Sequence, residues 1–114
     1  KRLHQSRRAF LETLYNLGLI GITINDLAPA TPYPSIINVS GLPGAVSKVT
    51  VTLSNFTHSF PGDVDILLVS PTGQKVVIMS DAGSSANTPN GVTNVTITLD
   101  DAAVGSLTTN KITN

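Results

Sequence analysis

Apolar and polar residues alternate strictly along two stretches of the chain, residues 48–54 and residues 95–99. A period of two places every second side chain on the same face. This pattern predicts β-strands with one buried face and one face in water. The predicted inward side chains are Val49, Val51 and Leu53 in the first stretch and Val95, Ile97 and Leu99 in the second.

Two further stretches, residues 66–69 and residues 76–79, are continuously apolar. Such runs are typical of strands that are covered on both faces or lie in the centre of a sheet. Between them, Ser70-Pro71-Thr72-Gly73 predicts a tight turn. Proline presets φ at the second position of this turn, and Gly73 tolerates the positive φ that closes a hairpin.

The rest of the chain after residue 21 also predicts strands and turns. We expect shorter strands at residues 21–25 and 35–39, and a loop at residues 81–91, which are rich in Gly, Ser, Asn and Pro. Short strands separated by frequent turn signals predict a mainly β domain, a sandwich or a jelly roll, over residues 22–114.

The first 21 residues have a different character. They are basic and then apolar, and the apolar residues that follow Phe10 recur at the spacing of an amphipathic helix. We therefore expect an N-terminal helical segment over residues 1–21 that packs on the β domain or on a partner. The alternative is an export signal, because Ser6-Arg7-Arg8-Ala9-Phe10-Leu11 matches a twin-arginine pattern and Ala28-Pro29-Ala30 resembles a cleavage site.

Composition narrows the possible functions. The 114-residue chain is long enough for one domain with a modest core. Its formal net charge is zero and 12% of its residues are charged, which argues against a nucleic-acid-binding surface. It contains no Cys, so disulfides, thiol catalysis and thiolate metal sites are excluded. We found no transmembrane span in the sequence, and the high Thr, Ser and Asn content is typical of extracytoplasmic β-proteins.

One combination of motifs is more specific than these patterns. His58 is followed by Gly62-Asp63-Val64-Asp65, by the apolar run, and by the Ser-Pro-x-Gly turn. Further matching segments are residues 36–41, residues 49–53 and residues 81–83. Together they resemble the P domain, or Homo B domain, of subtilisin-like proprotein convertases and its bacterial relatives. The resemblance covers about residues 22–107 of the 114-residue chain.

The resemblance implies an antiparallel jelly-roll-type β-sandwich that is not catalytic and accompanies a secreted protease or a cell-surface protein. The family's C-terminal portion, with its Gly-x-Trp strand and closing strand, has no counterpart, since the chain contains no Trp. We therefore expect a sandwich that is incomplete at its C-terminal end. Its open edge would be covered by the N-terminal helix, by another chain or by further residues.

The chain offers no recognisable catalytic group. A Ser-His-Asp triad needs a nucleophile, a base and an orienting acid, and the chain contains two His residues, His4 and His58. No Gly-x-Ser-x-Gly motif is present. A dyad of His58 and Asp63 is conceivable, but the resemblance implies that His58 is structural and hydrogen-bonds its loop. We therefore expect no enzymatic activity.

Calcium binding is the better chemical hypothesis. Asp63, Asp65 and Asp81 are short carboxylates in loops or at strand ends, and hard cations favour such oxygen ligands. The alternative is that Asp63 caps a turn while Asp65 and Asp81 are merely exposed. Asp100 and Asp101 fit either interpretation, as further calcium ligands or as exposed carboxylates. The sequence implies no other cofactor.

Three functions remain open. The first is an extracytoplasmic β module, secreted, periplasmic or at the cell surface, that binds or stabilises a partner polypeptide. The second is a structural subunit of a pilus or other filament, completed by a second chain through strand addition or helix docking. The third is an accessory fragment of a secreted subtilisin-like protease.

Overall fold

The computed structural model describes the backbone of residues 2–6 and residues 21–83, 91–107 and 112 in full. The described residues form strands and one short 3-10 helix, with no α-helix among them. The elements are β1 (Arg2–Ser6), β2 (Lys48–His58), η1 (Pro61–Asp63), β3 (Ile66–Val69), β4 (Lys75–Met79) and β5 (Val92–Leu99). The mainly β prediction is confirmed. Within this part of the chain, no helix has the length and apolar character needed to cross a membrane.

The strands form two small sheets. In one sheet β2 lies between β1 and β5, and β3 and β4 form the other as an antiparallel hairpin. The β2–β5 cross-strand hydrogen bonds join Thr52 to Thr98 and Asn94 to Thr57. Partner numbers fall along β5 as they rise along β2, so these two strands are antiparallel as well. The jelly-roll arrangement of the sheets stays a prediction.

The chain divides into two compact units. The first consists of Lys1–Ser54 and Ile97–Asp101, and the buried apolar side chains among its described residues are Val51, Leu53 and Ile97. The second consists of Asn55–Thr96 and Ala102–Asn114. In the part of this unit that the structure describes, the buried apolar side chains are Phe56, Val64, Met79, Ala82, Val92 and Val95.

The alternation of buried and exposed side chains is interrupted once in β2 and once in β5. In β2 the buried side chains Val51 and Leu53 are two residues apart, but the next is Phe56, three residues further on. The extra residue, Asn55, has φ +56°. In β5 the extra residue is Asn94, with φ +58°, between buried Val92 and Val95. Asparagine tolerates this left-handed conformation better than most residues, so each strand carries a bulge that restores burial on one face.

The predicted N-terminal helix is wrong for residues 2–6, which form β1. This strand pairs antiparallel with β2, with Arg2 opposite Thr52 and Ser6 opposite Lys48. The apolar stripe that predicted a helix begins only at Phe10. The edge of β2 that β5 does not cover offers backbone partners to an extended segment, and residues 2–6 occupy it. Residues 7–20, the rest of the predicted helix, lie outside the described residues, and the choice between helix and export signal stays open.

Two short strands predicted from the sequence are also wrong. Within residues 21–25, only Thr23 forms a bridge, pairing with Thr31 through two backbone hydrogen bonds of 2.8 Å. The side-chain amide of Asn25 donates to Pro29 O and Thr31 Oγ1, and these bonds stabilise a compact turn. Residues 35–39 follow the prolines at 32 and 34, which have no backbone N–H, and no described strand pairs with them.

Candidate docking surface

The β3–β4 hairpin is closed by the turn that the sequence predicts. Gly73 N donates to Ser70 O over 3.0 Å, and Ser70 N donates to Gln74 O over 2.8 Å. Gly73 has φ +86°, which L-residues with a side chain adopt at a cost. The Ser70 hydroxyl accepts from Gln74 N and is hydrogen-bonded to the Thr72 hydroxyl. This is a type I turn extended by a glycine bulge, a common three-residue hairpin loop.

One face of this hairpin is apolar and exposed. Leu67 lies opposite Val77, and Val69 lies opposite Lys75, so these four residues share a face. Leu67, Val69 and Val77 are between 50% and 60% exposed. We call these three side chains the exposed hairpin face. The expectation that both strands are covered on both faces is therefore wrong, because among the described residues the hairpin is a two-stranded sheet.

A groove lies beside the C-terminal end of β4. It is lined by the consecutive residues 77–82 and by Leu107, and its volume is about 310 Å³. Of its lining residues, Met79 and Ala82 are buried, while Val77 is exposed. We call this feature the β4 groove. Its size lies at the lower end of the range for ligand pockets.

The β4 groove could not be predicted from the sequence. Leu107 lies in an irregular segment more than 25 positions after β4, and no local pattern connects the two. The apolar runs that flank the turn predicted two strands, but they predicted coverage on both faces and gave no sign of an exposed surface.

His58 has the structural role that the resemblance implies. It ends β2, and its Nδ1 accepts a hydrogen bond from the backbone N–H of Phe60 over 3.1 Å. Pro61 follows as one of the most buried side chains and begins η1, in which Asp63 N donates to Phe60 O. The imidazole therefore shapes the loop that carries Asp63.

The three candidate calcium ligands lie at one end of the hairpin. Asp63 belongs to η1, Asp65 directly precedes β3, and Asp81 follows β4 with φ +51°. The pairing of Ile66 with Met79 brings Asp65 and Asp81 to the same end. All three are exposed, and the Ser80 hydroxyl donates to Asp81 Oδ2 over 3.3 Å.

The described segments contain no cluster of acidic and His side chains of the size that a metal site needs. No group of three or more is placed there to hold a metal ion. Of the two late carboxylates, Asp100 forms an ion pair with Lys48 over 2.6 Å, while Asp101 is exposed in the turn after β5. The calcium site stays a prediction.

Comparison with known proteins gives one match. The family model described as the proprotein convertase P-domain matches residues 46–108, more than half of the chain. The matched region contains β2, η1, the hairpin and β5. No curated protein and no solved structure matches the chain.

Proposed function

Because this chain belongs to the proprotein convertase P-domain family, we propose that it is a non-catalytic, extracytoplasmic module that binds and stabilises a partner polypeptide. The P domain is a non-catalytic domain associated with subtilisin-like proteases. A subtilisin-like catalytic domain is accordingly the first partner to test. The family's occurrence in secreted proteases supports the extracytoplasmic location.

The exposed hairpin face is the observation that carries this proposal. Three aliphatic side chains on adjacent strands, each at least half exposed, form a contiguous apolar patch. Scattered apolar residues on a surface are ordinary, whereas a contiguous patch is typical of an interaction site. Burial of this patch against a partner would contribute favourable free energy without any chemistry from the module.

The test measures stabilisation of the partner. The chain is added to a subtilisin-like catalytic domain from the same organism, and the melting temperature of that domain is recorded. We expect a rise, and we expect Leu67→Ser and Val77→Ser to reduce it, because they remove apolar area from the patch. The matched control is Val104→Ser, since Val104 is fully exposed and lies in the irregular segment after β5.

Two results would contradict the proposal. One is a catalytic domain whose melting temperature is the same with and without the chain. The other is a rise that both hairpin variants leave intact, because the patch would then be irrelevant to the association.

A filament subunit is the second candidate, and it is favoured by the hairpin edges, with which no other described strand pairs. Strand addition between copies uses such edges. Light scattering over a hundredfold range of protein concentration separates the two candidates. A monomer at every concentration excludes the filament, whereas growth in mass with concentration supports it.

A further inference from the structure

The C-terminal segment reaches the segment after β4 through the side chain of Ile112. A Cβ built at Gly83 would lie 2.6 Å from Ile112 Cδ1, 2.8 Å from Ile112 Cγ1 and 3.2 Å from Pro61 Cγ. Carbon atoms in favourable contact are about 3.5–4.0 Å apart. The Ile112 side chain therefore occupies the space that a side chain at residue 83 would need. All three residues belong to the second unit.

The burial of Pro61 indicates that this place is shielded from water. Phe60 and Asp63, its neighbours in the loop, are exposed, yet less than 2% of Pro61 is exposed. Gly83 is buried as well, and Ile112 is half-buried. The segment after β4, the η1 loop and the C-terminal segment thus meet at one apolar place. We call the packing of Ile112 on Gly83 beside Pro61 the Ile112 contact.

Glycine at residue 83 meets two separate requirements. Its φ of +90° favours glycine, and the absence of a Cβ leaves room for Ile112. Gly73 has nearly the same conformation, with φ +86°, but a Cβ there would meet no atom of the described residues within 4 Å. A comparison of the two glycines therefore separates backbone strain from the contact with Ile112.

The attachment of the C-terminal segment is small. After β5 the structure describes residues 100–107 and Ile112, and none of these residues belongs to a strand. Leu107 lines the β4 groove together with residues 77–82. A terminal segment with few buried apolar contacts opens locally at a lower free energy than the whole protein unfolds. Opening here would uncover Pro61 and Gly83 while β2 and β5 stay paired.

We infer that the Ile112 contact is a conformational device that opens and closes locally. When closed, it holds the segment after β4 against the η1 loop, and when open, it frees both without unfolding the strands. Asp63 and Asp81 each lie two residues from a residue of this contact. The C-terminal segment therefore controls the order of the two loops at this end of the hairpin. The inference goes beyond the proposed function, because it holds for the chain with or without a partner.

The first test is a double-mutant cycle of melting temperatures. We expect Gly83→Ala to lower the melting temperature by about 5–10 °C more than Gly73→Ala does, because a clash adds to the same backbone strain. Ile112→Ala removes Cγ1 and Cδ1, the two atoms in the way. In that background the excess cost of Gly83→Ala should fall to less than about half, while the cost of Gly73→Ala stays the same.

The second test measures amide hydrogen exchange by NMR in the full chain. Asp63 N–H donates to Phe60 O, and Val64 N–H donates to Pro61 O, so both amides report on the η1 loop. We expect Ile112→Ala to speed exchange of these two amides by about three- to tenfold, because the closed state loses apolar contact.

Two controls show whether that opening is local. The amide of Asn94 in β5, which is bonded to Thr57, should exchange at an unchanged rate in Ile112→Ala. Val104→Ala should alter none of these amides, because Val104 is fully exposed.

The third test leaves residue 83 unchanged and so remains available if Gly83→Ala does not fold. The chain contains no Cys, so a single introduced thiol reports on its own surroundings. We expect maleimide to react with the thiol of Ile112→Cys at least about fivefold more slowly than with that of Val104→Cys, because a closed contact shields position 112.

Each test has a result that overturns the inference. In the cycle it is an excess cost of Gly83→Ala that persists undiminished in the Ile112→Ala background. In the exchange measurement it is either an unchanged rate at Asp63 and Val64 or an equal acceleration at Asn94, which would mean global destabilisation. In the labelling it is an equal rate at positions 112 and 104.

Discussion

The backbone N–H of Asn94 donates a hydrogen bond of 2.8 Å to the hydroxyl of Thr57. This bond connects β5 to β2 within the second unit, close to the place where each strand contains a left-handed asparagine. A bulge leaves its extra residue out of the regular ladder, so the Thr57 side chain satisfies a donor that a regular partner strand would have satisfied.

Removal of the Thr57 hydroxyl should destabilise the protein. In Thr57→Val the shape of the side chain is kept but the acceptor for Asn94 N–H is lost, at a cost of about 0.5–1.5 kcal/mol. Thr57→Ser should retain most of the stability. Urea denaturation measures both, and Thr93→Val, at an exposed site in the same region of β5, is the control. Equal midpoints for Thr57→Val and Thr93→Val would show that the bond contributes nothing.

The bulge at Asn94 should tolerate glycine better than alanine. At φ +58° a Cβ-bearing residue without a helpful side chain is strained by about 1–2 kcal/mol, whereas glycine adopts this conformation freely. Thermal melts of Asn94→Ala and Asn94→Gly should therefore differ, with the alanine variant less stable. A more stable alanine variant would mean that the backbone at residue 94 is not left-handed in solution.

Gly91 should not accept a side chain, for a steric reason. A Cβ at this position would lie 3.0 Å from His58 O and 3.0 Å from Ser59 Cα, and these are backbone atoms that cannot rotate away. We expect Gly91→Ala to cost about 1–3 kcal/mol in the free energy of unfolding. At Gly105 a Cβ would meet no atom within 4 Å, so Gly105→Ala should leave stability unchanged or slightly raised. Chemical denaturation of the two variants gives the comparison.

The ion pair between Lys48 and Asp100 should contribute little, despite its short distance of 2.6 Å. The two side chains are 41% and 24% exposed, so water and salt screen the attraction. Lys48→Met should lower the free energy of unfolding by about 0.2–1 kcal/mol at low salt. The difference from the unmodified protein should shrink when the urea melts are repeated at about 1 M NaCl. A difference that is large and independent of salt would contradict this account.

A calcium site at Asp63, Asp65 and Asp81 predicts stabilisation by calcium. For a dissociation constant of about 0.1–1 mM, which is typical of extracellular modules, about 10 mM calcium should stabilise the fold by about 1–3 kcal/mol. The melting temperature should rise with calcium and return on addition of EGTA, and Asp65→Asn should abolish the response. Asp101→Asn is the control. A melting curve that neither calcium nor EGTA alters would remove the hypothesis.

The sequence by itself determined the features that depend on near neighbours along the chain. The alternation of apolar and polar residues in 48–54 and 95–99 predicted β2 and β5, because successive side chains of a strand point to opposite faces of the sheet. The turn at Ser70-Pro71-Thr72-Gly73 was predicted because proline and glycine restrict the backbone directly. The combined motif around His58 also identified the family, and the loop role of this residue is confirmed by its bond to Phe60.

The tertiary structure decided the features that depend on distant partners. Nothing local in the sequence required Asn55 and Asn94 to be bulges, since each is fixed by the need to keep Phe56 and Val95 buried. The extended conformation of Arg2–Ser6 comes from pairing with β2, against a helical prediction made from the residues that follow. The sequence could not predict that Leu67, Val69 and Val77 are exposed, because a continuous apolar run does not show which face of the strand is covered.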